Sequence, residues 1–321
     1  MPPIPRLRHD SPAMKTDNVY HITREDWLQT TQGDPRGYIQ PAKLTELWFH
    51  TGTTCNLRCP FCLEGSKPGD NRINPLLFTD AKPFIDEALG MGIKQFSFTG
   101  GEPFVIDEFV QILGYALDHR PCLVLTNGTE PVLNRMEEIL ALREKPHPVK
   151  FRISIDYPDA ARHDAGRGPG NFLRALQALG RLHRYGFDIS IARQREQGED
   201  IEKVDRAFHP HLEEVGVPTD INIVSFPDFL TPGAVAKVPE ITEDCMTRYH
   251  TEETRDSFMC NYTKFVLKKN GKTRVYACTL VDDDTDYDLG GTLKESMRIR
   301  VMLGHHRCYS CFAFGASCSD T

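Results

Sequence analysis

The chain of 321 residues contains no run of roughly 18 uninterrupted apolar residues, so nothing in it reads as a membrane-spanning helix. Its start, Met1 to Asp10, is basic and proline-containing and lacks the apolar stretch of a secretory signal. Positive charge is not in excess either. Lys and Arg number 38 against 45 Asp and Glu, a formal net charge of -7, which removes the global basic field that recruits nucleic acid or anionic lipid. Low-complexity segments are absent, as is any internal repeat beyond a recurring strand–helix unit. What remains is a composition ordinary for a globular protein, 40% hydrophobic and 26% charged, and long enough for one large domain plus a small one. A cytoplasmic location is expected.

Against these absences stand ten cysteines. Where thiols are kept reduced, clustered cysteines read as metal ligands or catalysts before disulfides. Three lie at 55, 59 and 62, five lie between 260 and 318, and Cys122 and Cys245 stand apart. The distribution predicts two metal centres, one near each end of the chain.

Periodicity places these clusters on a fold. Residues 1–44 are polar, proline-rich and weakly periodic, an arm or small cap. From 45 to 225 strands and helices alternate, with strands expected at Leu47–His50, Lys94–Thr99, Leu123–Thr126, Val149–Asp156, Phe187–Ala192 and Asp220–Ser225. Helices are expected between them, the first capped by Thr79, a later one over Pro131–Arg143 and the last over Asp200–Val215. Six such units imply an α/β fold with a parallel sheet, open or closed into a partial (β/α)6 TIM-like barrel. In either form functional groups gather at the carboxyl ends of strands, where Thr99, Thr126, Asn127, Ser154 and Asp156 stand. A proline-rich linker, 226–245, leads to a small C-terminal α+β domain, 246–321, with a β-hairpin around Asn270-Gly271.

The first cysteine loop reads Cys55-Asn-Leu-Arg-Cys59-Pro-Phe-Cys62. Three thiolates this close can hold three irons of a cubane and leave the fourth open. The competing reading is a structural zinc knuckle or an iron–sulfur electron carrier, which needs a fourth ligand, and His50 is the one close candidate. Downstream, Thr99-Gly100-Gly101-Glu102-Pro103 follows a strand; two glycines let backbone approach a ligand and Glu102 can pair with an ammonium.

The CxxxCxxC spacing, the GGEP segment and Ser154-Ile-Asp156 together resemble the radical S-adenosylmethionine (SAM) superfamily over approximately residues 46–225. The resemblance implies a [4Fe–4S] cluster on Cys55, Cys59 and Cys62 whose open iron takes the amino and carboxylate groups of SAM. It implies reductive cleavage of SAM to methionine and a 5′-deoxyadenosyl radical that abstracts a substrate hydrogen. It also implies SAM contacts for Phe61 (adenine), Gly100, Gly101 and Glu102 (methionyl amine), Ser154, Asp156 and Asn127, and Arg167 of Arg167-Gly168 (carboxylate).

At the other end, Cys260 precedes the hairpin, Cys278 ends it, and Cys308 and Cys311 form a CxxC. Four soft ligands suit zinc or a [4Fe–4S] cluster. A cysteine, a hairpin, a second cysteine and a terminal CxxC resemble the auxiliary-cluster domain of radical SAM enzymes in its shorter twitch form, and Leu289 to Leu293 resembles the connector of the longer SPASM form. Cys318 could be an extra ligand, but the chain ends at Thr321 without the longer form's final cysteine, so one auxiliary cluster is expected on Cys260, Cys278, Cys308 and Cys311. Fully ligated by protein, it would carry electrons. Cys122 reads as core packing, and Cys245 receives no role.

An oxidoreductase or maturase in natural-product or cofactor biosynthesis follows from the resemblance, with a small-molecule or peptide substrate and a flavodoxin- or ferredoxin-like reductant. The 44-residue arm is shorter than a fused leader-peptide domain, so a peptide substrate would be brought by a separate recognition protein. Oxidation needs a base for a second proton; acid–base groups near the mouth include Arg193, Glu196 and Tyr276, each of which reads equally well as a surface residue. A non-catalytic iron–sulfur carrier is the alternative of another class, and the GGEP and Ser-Ile-Asp segments speak against it, because a carrier has no use for a SAM pocket.

Overall fold

A computed structural model of the chain describes residues 27–196, 198–226 and 234–315. Its strands, in chain order, are β1 Tyr38–Ile39, β2 Glu46–His50, β3 Gln95–Thr99, β4 Cys122–Thr126, β5 Val149–Ser154, β6 Asp188–Gln194, β7 Ile223–Phe226, β8 Thr263–Lys269, β9 Lys272–Tyr276 and β10 Val301–Met302. Eight of them form one sheet in the order β7-β6-β5-β4-β3-β2-β8-β9. Every neighbouring pair is parallel except the β8–β9 hairpin. All six expected strands are present with helices between them, and the sheet is that of a partial TIM-like barrel, open between β7 and β9.

Alternation along each strand sorts its side chains between two cores. Leu47, Phe49, Phe96, Phe98, Val124, Phe151, Ile153, Ile189 and Ile191 pack under the flanking helices in one apolar cluster. Helix α1, Phe78–Gly90, turns Ala81, Phe84, Ile85 and Ala88 inward, and α2, Phe109–Leu117, packs beside it with Ile112, Leu113 and Ala116. The opposite face carries Trp48, Leu123 and Phe265, which join a second cluster with Tyr276, Tyr287, Ile299 and Val301 from the C-terminal region.

Helix boundaries depart from expectation where local chemistry intervenes. Thr79 lies inside α1; the chain enters the helix at Leu77, whose N–H donates to Asp80 Oδ2 (3.0 Å), while Phe78 N–H donates to Glu108 Oε2 (2.6 Å). The helix expected over 200–215 is two, Ile201–Arg206 and His209–Glu214, because Pro210 cannot continue the first and suits the opening turn of the second. The segment 130–144 is likewise broken, into Glu130–Asn134, Met136–Ala141 and a 3-10 turn, Leu142–Glu144.

Two features tie the ends of the chain together. The hairpin, turned by Asn270 (φ 52°) and Gly271 (φ 74°), continues the main sheet through β2–β8 pairing. Of the N-terminal arm, β1 pairs antiparallel with β10 and Trp27 meets Tyr287 edge-on at 5.1 Å. The described part of the arm therefore packs into the C-terminal core.

Candidate functional site

The carboxyl ends of β2 to β5 surround a cavity of about 180 Å³. Cys55, Cys59, Phe61 and Cys62 line it, with Gly100, Gly101, Thr126, Asn127, Ser154 and Arg167. Of the residues expected at this site, those reach the cavity wall. Glu102 and Asp156 stand just behind it and act through neighbours.

Glu102 is fully buried. Its carboxylate accepts from Thr126 Oγ1 (2.8 and 2.9 Å), Asn127 N–H (2.8 Å) and Phe104 N–H (3.1 Å). Burial nonetheless outweighs those donors and pushes the carboxyl up to about 7. It locks the end of β3 to the end of β4. Asp156 takes a bidentate pair from Arg167, Nε to Oδ2 at 2.5 Å and Nη2 to Oδ1 at 3.0 Å, so it orients a guanidinium that also lies 5.6 Å from the Phe61 ring centroid. Burial works against the Arg167 cation, but Asp156 and the nearby cysteines more than hold it charged. Asn127 donates to Asn56 Oδ1 (2.9 Å) and reaches Cys55 Sγ at 3.9 Å, fixing the cysteine loop.

The glycines serve a closer contact than a ligand's. Gly101 N–H donates to Gly52 O (2.8 Å) and Glu102 N–H to Thr54 O (3.1 Å), bringing the GGEP backbone directly against the cysteine loop. A Cβ at Gly101 would lie 2.3 Å from Thr54 O, and one at Gly100, where φ is +140°, 2.7 Å from Thr51 Oγ1. Both positions are glycine because another strand of backbone fills the space.

Burial pushes the Cys55 thiol up to about 12 and raises Cys59 and Cys62. Thiols this desolvated become anionic by binding a metal. His50 is not a fourth ligand. Its Nδ1 accepts Gly52 N–H (3.0 Å), so its Nε2–H donates to Glu64 Oε2 (2.7 Å), and both ring nitrogens are occupied. Among the described residues no three His, Cys, Asp or Glu side chains are set to chelate a single ion. A cubane asks for a different arrangement, one thiolate per iron around a body rather than a point. The donor set of three thiols and no fourth ligand fits a cluster with one open iron.

Glu64 was not legible as a site residue, although it lines the cavity two positions after Cys62. Burial alone would raise its carboxyl, but His50 and Arg72 hold it below the ordinary range. Arg72 donates to Glu64 O (3.1 Å) and to the buried Asp282 (3.0 Å), which links the first cysteine loop to the segment after Cys278. The acid–base candidates, by contrast, miss the cavity. Arg193 points to the helix side of β6 and is neutralised by Glu199 (2.6 Å) and Asp205 (2.8 Å). Glu196 pairs with Arg162 at the surface, and Tyr276 is buried in the second core, where desolvation raises its phenol.

The four C-terminal cysteines share one pocket wall. Cys260, Cys278, Cys308 and Cys311 line one almost wholly apolar pocket with Phe258, Tyr287 and Leu303. Burial, reinforced by the neighbouring thiols, pushes Cys260 up to about 12 and raises Cys278 well above the ordinary thiol range; burial also takes Cys308 to about 11. Tyr287 Oη donates to Met302 O (2.8 Å) and stands 3.8 Å from Cys308 Sγ. Four thiols and an apolar wall suit a thiolate-bound centre. None of the nine described cysteines is in a disulfide; Cys122 is core packing, and Cys318 lies outside the described residues.

Comparison with known proteins bears on this arrangement. Residues 49–204 match the model of the radical SAM superfamily. A mycofactocin maturase, MftC, of Mycolicibacterium smegmatis is 32% identical over 173 residues, 52% of this chain and 42% of that protein. An AdoMet-dependent heme synthase of Nitratidesulfovibrio vulgaris is 31% identical over 144 residues, 43% of this chain and 37% of that protein. The match thus spans less than half the length of these relatives. Among solved structures, Streptococcus suis SuiB bound to S-adenosylmethionine shares the fold over 77% of this chain and 63% of its own, with 12% identity and a TM-score of 0.58. The structure of anSMEcpe with bound AdoMet does so over 79% of this chain and 80% of its own, with 16% identity and a TM-score of 0.55. Among the described residues no helix is long and apolar enough to cross a membrane. From the end of β2 to the helix after β6 the sequence is that of the radical SAM superfamily, whose enzymes use a [4Fe–4S] cluster and S-adenosylmethionine.

Proposed function

We propose that Cys55, Cys59 and Cys62 hold the [4Fe–4S] cluster of this radical SAM enzyme and that SAM occupies the adjoining cavity. The observation that carries this reading is the convergence of the three thiols, the GGEP backbone, Ser154 and Arg167 on one space. The cluster and SAM supply reductive cleavage to a 5′-deoxyadenosyl radical, as in the family. Arg167, oriented by Asp156, would hold the methionyl carboxylate, and Phe61 the adenine. The Gly100–Gly101 backbone would meet the methionyl amine, with Glu102 and Asn127 fixing the strand ends that present it. Ser154, on the same wall, would meet the ribose or carboxylate.

Cys260, Cys278, Cys308 and Cys311 would hold one auxiliary [4Fe–4S] cluster that moves electrons to or from the substrate. The supporting observation is that all four line one apolar pocket. The enzyme would then be an oxidoreductase or maturase with a core over 45–225, a linker over 226–245 and an auxiliary-cluster unit over 246–321. Relatives named a mycofactocin maturase and a heme synthase support a role in making a cofactor or a modified peptide. A peptide substrate would come with a separate recognition protein. A flavodoxin- or ferredoxin-like reductant and a reducing, cytoplasmic setting suit the exposed chemistry of such clusters.

Anaerobic iron and sulfide analysis with EPR tests both assignments, on the wild type and a Cys55/Cys59/Cys62→Ala variant. About eight irons falling to about four are expected for two cubanes, with a SAM-induced change in the wild-type signal that the variant lacks. Four irons falling to none, with zinc retained, would make the C-terminal centre structural zinc.

A further inference from the structure

Lys264 in β8 is fully buried. Its ammonium donates to two backbone carbonyls, Cys260 O at 2.9 Å and Thr263 O at 2.8 Å. No carboxylate among the described residues pairs with it. On the same strand Lys268 meets Asp80 at 2.7 Å, and Arg307, in the wall of the C-terminal cysteine pocket, has Asp283 at 3.8 Å. Carbonyl dipoles satisfy the hydrogen bonds of an ammonium, but they do not neutralise a charge taken out of water. A cation in this position calls for an anion nearby.

The groups that would supply one line the C-terminal cysteine pocket, which Lys264 adjoins through Cys260. Lys264 bonds the carbonyl of Cys260, itself one of the four cysteines, and negative charge on the Cys260 or Cys278 sulfur would act to stabilise the ammonium. A centre bound by four thiolates is an anion as a whole, and the largest local charge in an apolar region. We propose that Lys264 is the built-in counter-charge of the C-terminal metal centre, strengthening its retention and raising its reduction potential. This rests on the reading that Cys260, Cys278, Cys308 and Cys311 hold an iron–sulfur cluster. Reduction adds one electron, and so one negative charge, to that cluster. A fixed positive charge close by favours the reduced form, and burial leaves the attraction little screened.

A purely structural role, with Nζ only fastening the Met259–Tyr262 helix to β8, gives different results. Lys264→Gln keeps a donor for the carbonyls and removes the charge, Lys264→Arg keeps the charge, and Lys264→Met removes both. In the full chain carrying the Cys55/Cys59/Cys62→Ala changes, only the C-terminal cluster would be present. There, EPR-monitored redox titration of Lys264→Gln should show a tenfold or greater shift of the one-electron equilibrium toward the oxidised form, 59 mV per tenfold. Iron release to a chelator should be faster, and Lys264→Arg should return both readouts toward the parent. Urea unfolding of the metal-free chain should find Lys264→Met as stable as the parent or more so, because the unanswered charge is gone. An unshifted potential with unchanged iron release in Lys264→Gln overturns the proposal, as does a metal-free Lys264→Met that loses as much stability as the loaded form. Should the parent chain hold no iron at the four cysteines, iron analysis reports that separately, and it is the underlying cluster reading that fails.

Discussion

Replacing Gly101 with alanine sets a methyl carbon 2.3 Å from Thr54 O, 2.7 Å from Thr54 C and 2.8 Å from Thr53 O. All three are backbone atoms, so no side chain can swing aside, and the two loops must part by about 1 Å to reach ordinary contact distance. That movement stretches the Gly101 N–H to Gly52 O and Glu102 N–H to Thr54 O bonds. Over-packing of this kind costs about 1–3 kcal/mol, and two weakened backbone hydrogen bonds add about 1 kcal/mol each. A loss of about 3–5 kcal/mol in the metal-free protein is therefore expected, read by urea unfolding through the fluorescence of Trp27 and Trp48, both buried. Iron loading at the three-cysteine loop should fall with it, since the same displacement moves Cys55. Gly90→Ala is the control. It ends α1 with nothing within 4 Å of its Cβ position, and alanine there should be neutral or stabilising by up to about 1 kcal/mol. A Gly101→Ala protein that unfolds within about 0.5 kcal/mol of wild type and takes up full iron would refute the account of why this segment is glycine.

Glu102 gives a pH signature. Its folded-state value of about 7 lies above an ordinary carboxyl near 4.5, so the folded chain holds a proton that the unfolded chain releases. Its contribution is fully present below about 4.5 and is lost as pH rises to about 7, a decline of about 3 kcal/mol. Glu102→Gln should flatten that segment of the curve, and an unchanged slope in urea titrations across this window would contradict it. Arg72→Met leaves the buried Asp282 without its guanidinium and unties the two cysteine regions; a loss of about 1–3 kcal/mol in unfolding free energy is expected, and near-neutrality would mean the bridge is incidental. Arg167→Lys cannot repeat the bidentate pair with Asp156, so SAM affinity should drop about tenfold by equilibrium dialysis while iron content holds. Because burial raises Cys55, Cys59 and Cys62, iron–sulfide loading must displace protons, and its rate should climb from pH 7 to pH 9; a flat profile would argue that the thiols are already ionised.

Much of the fold could be read from local pattern, because strands such as Val149–Ser154 and helices such as Asn171–Arg184 carry their period in consecutive residues. The cysteine loop and the GGEP segment were legible for the same reason, being contiguous. Misreadings came where a partner distant in sequence decides. Strand alternation alone could place Arg193 at the mouth or on the helix side, and only Glu199 of the loop after β6 and Asp205 of the helix that follows draw it outward. Thr79 resembles a cap until Glu108 arrives from α2 to serve the first turn.

By itself the sequence determined the parallel α/β core and the hairpin turn, since each follows from neighbours along the chain. Tertiary structure alone decided that the hairpin extends the main sheet, that His50 is spent on Gly52 and Glu64, and that Gly101 is held by Thr54. It alone buried Lys264 against the Cys260 and Thr263 carbonyls, with no carboxylate partner among the described residues. Such outcomes depend on which desolvated groups meet across tens or hundreds of intervening residues. A buried charge or a filled Cβ position is a property of the packed neighbourhood, which no stretch of sequence contains.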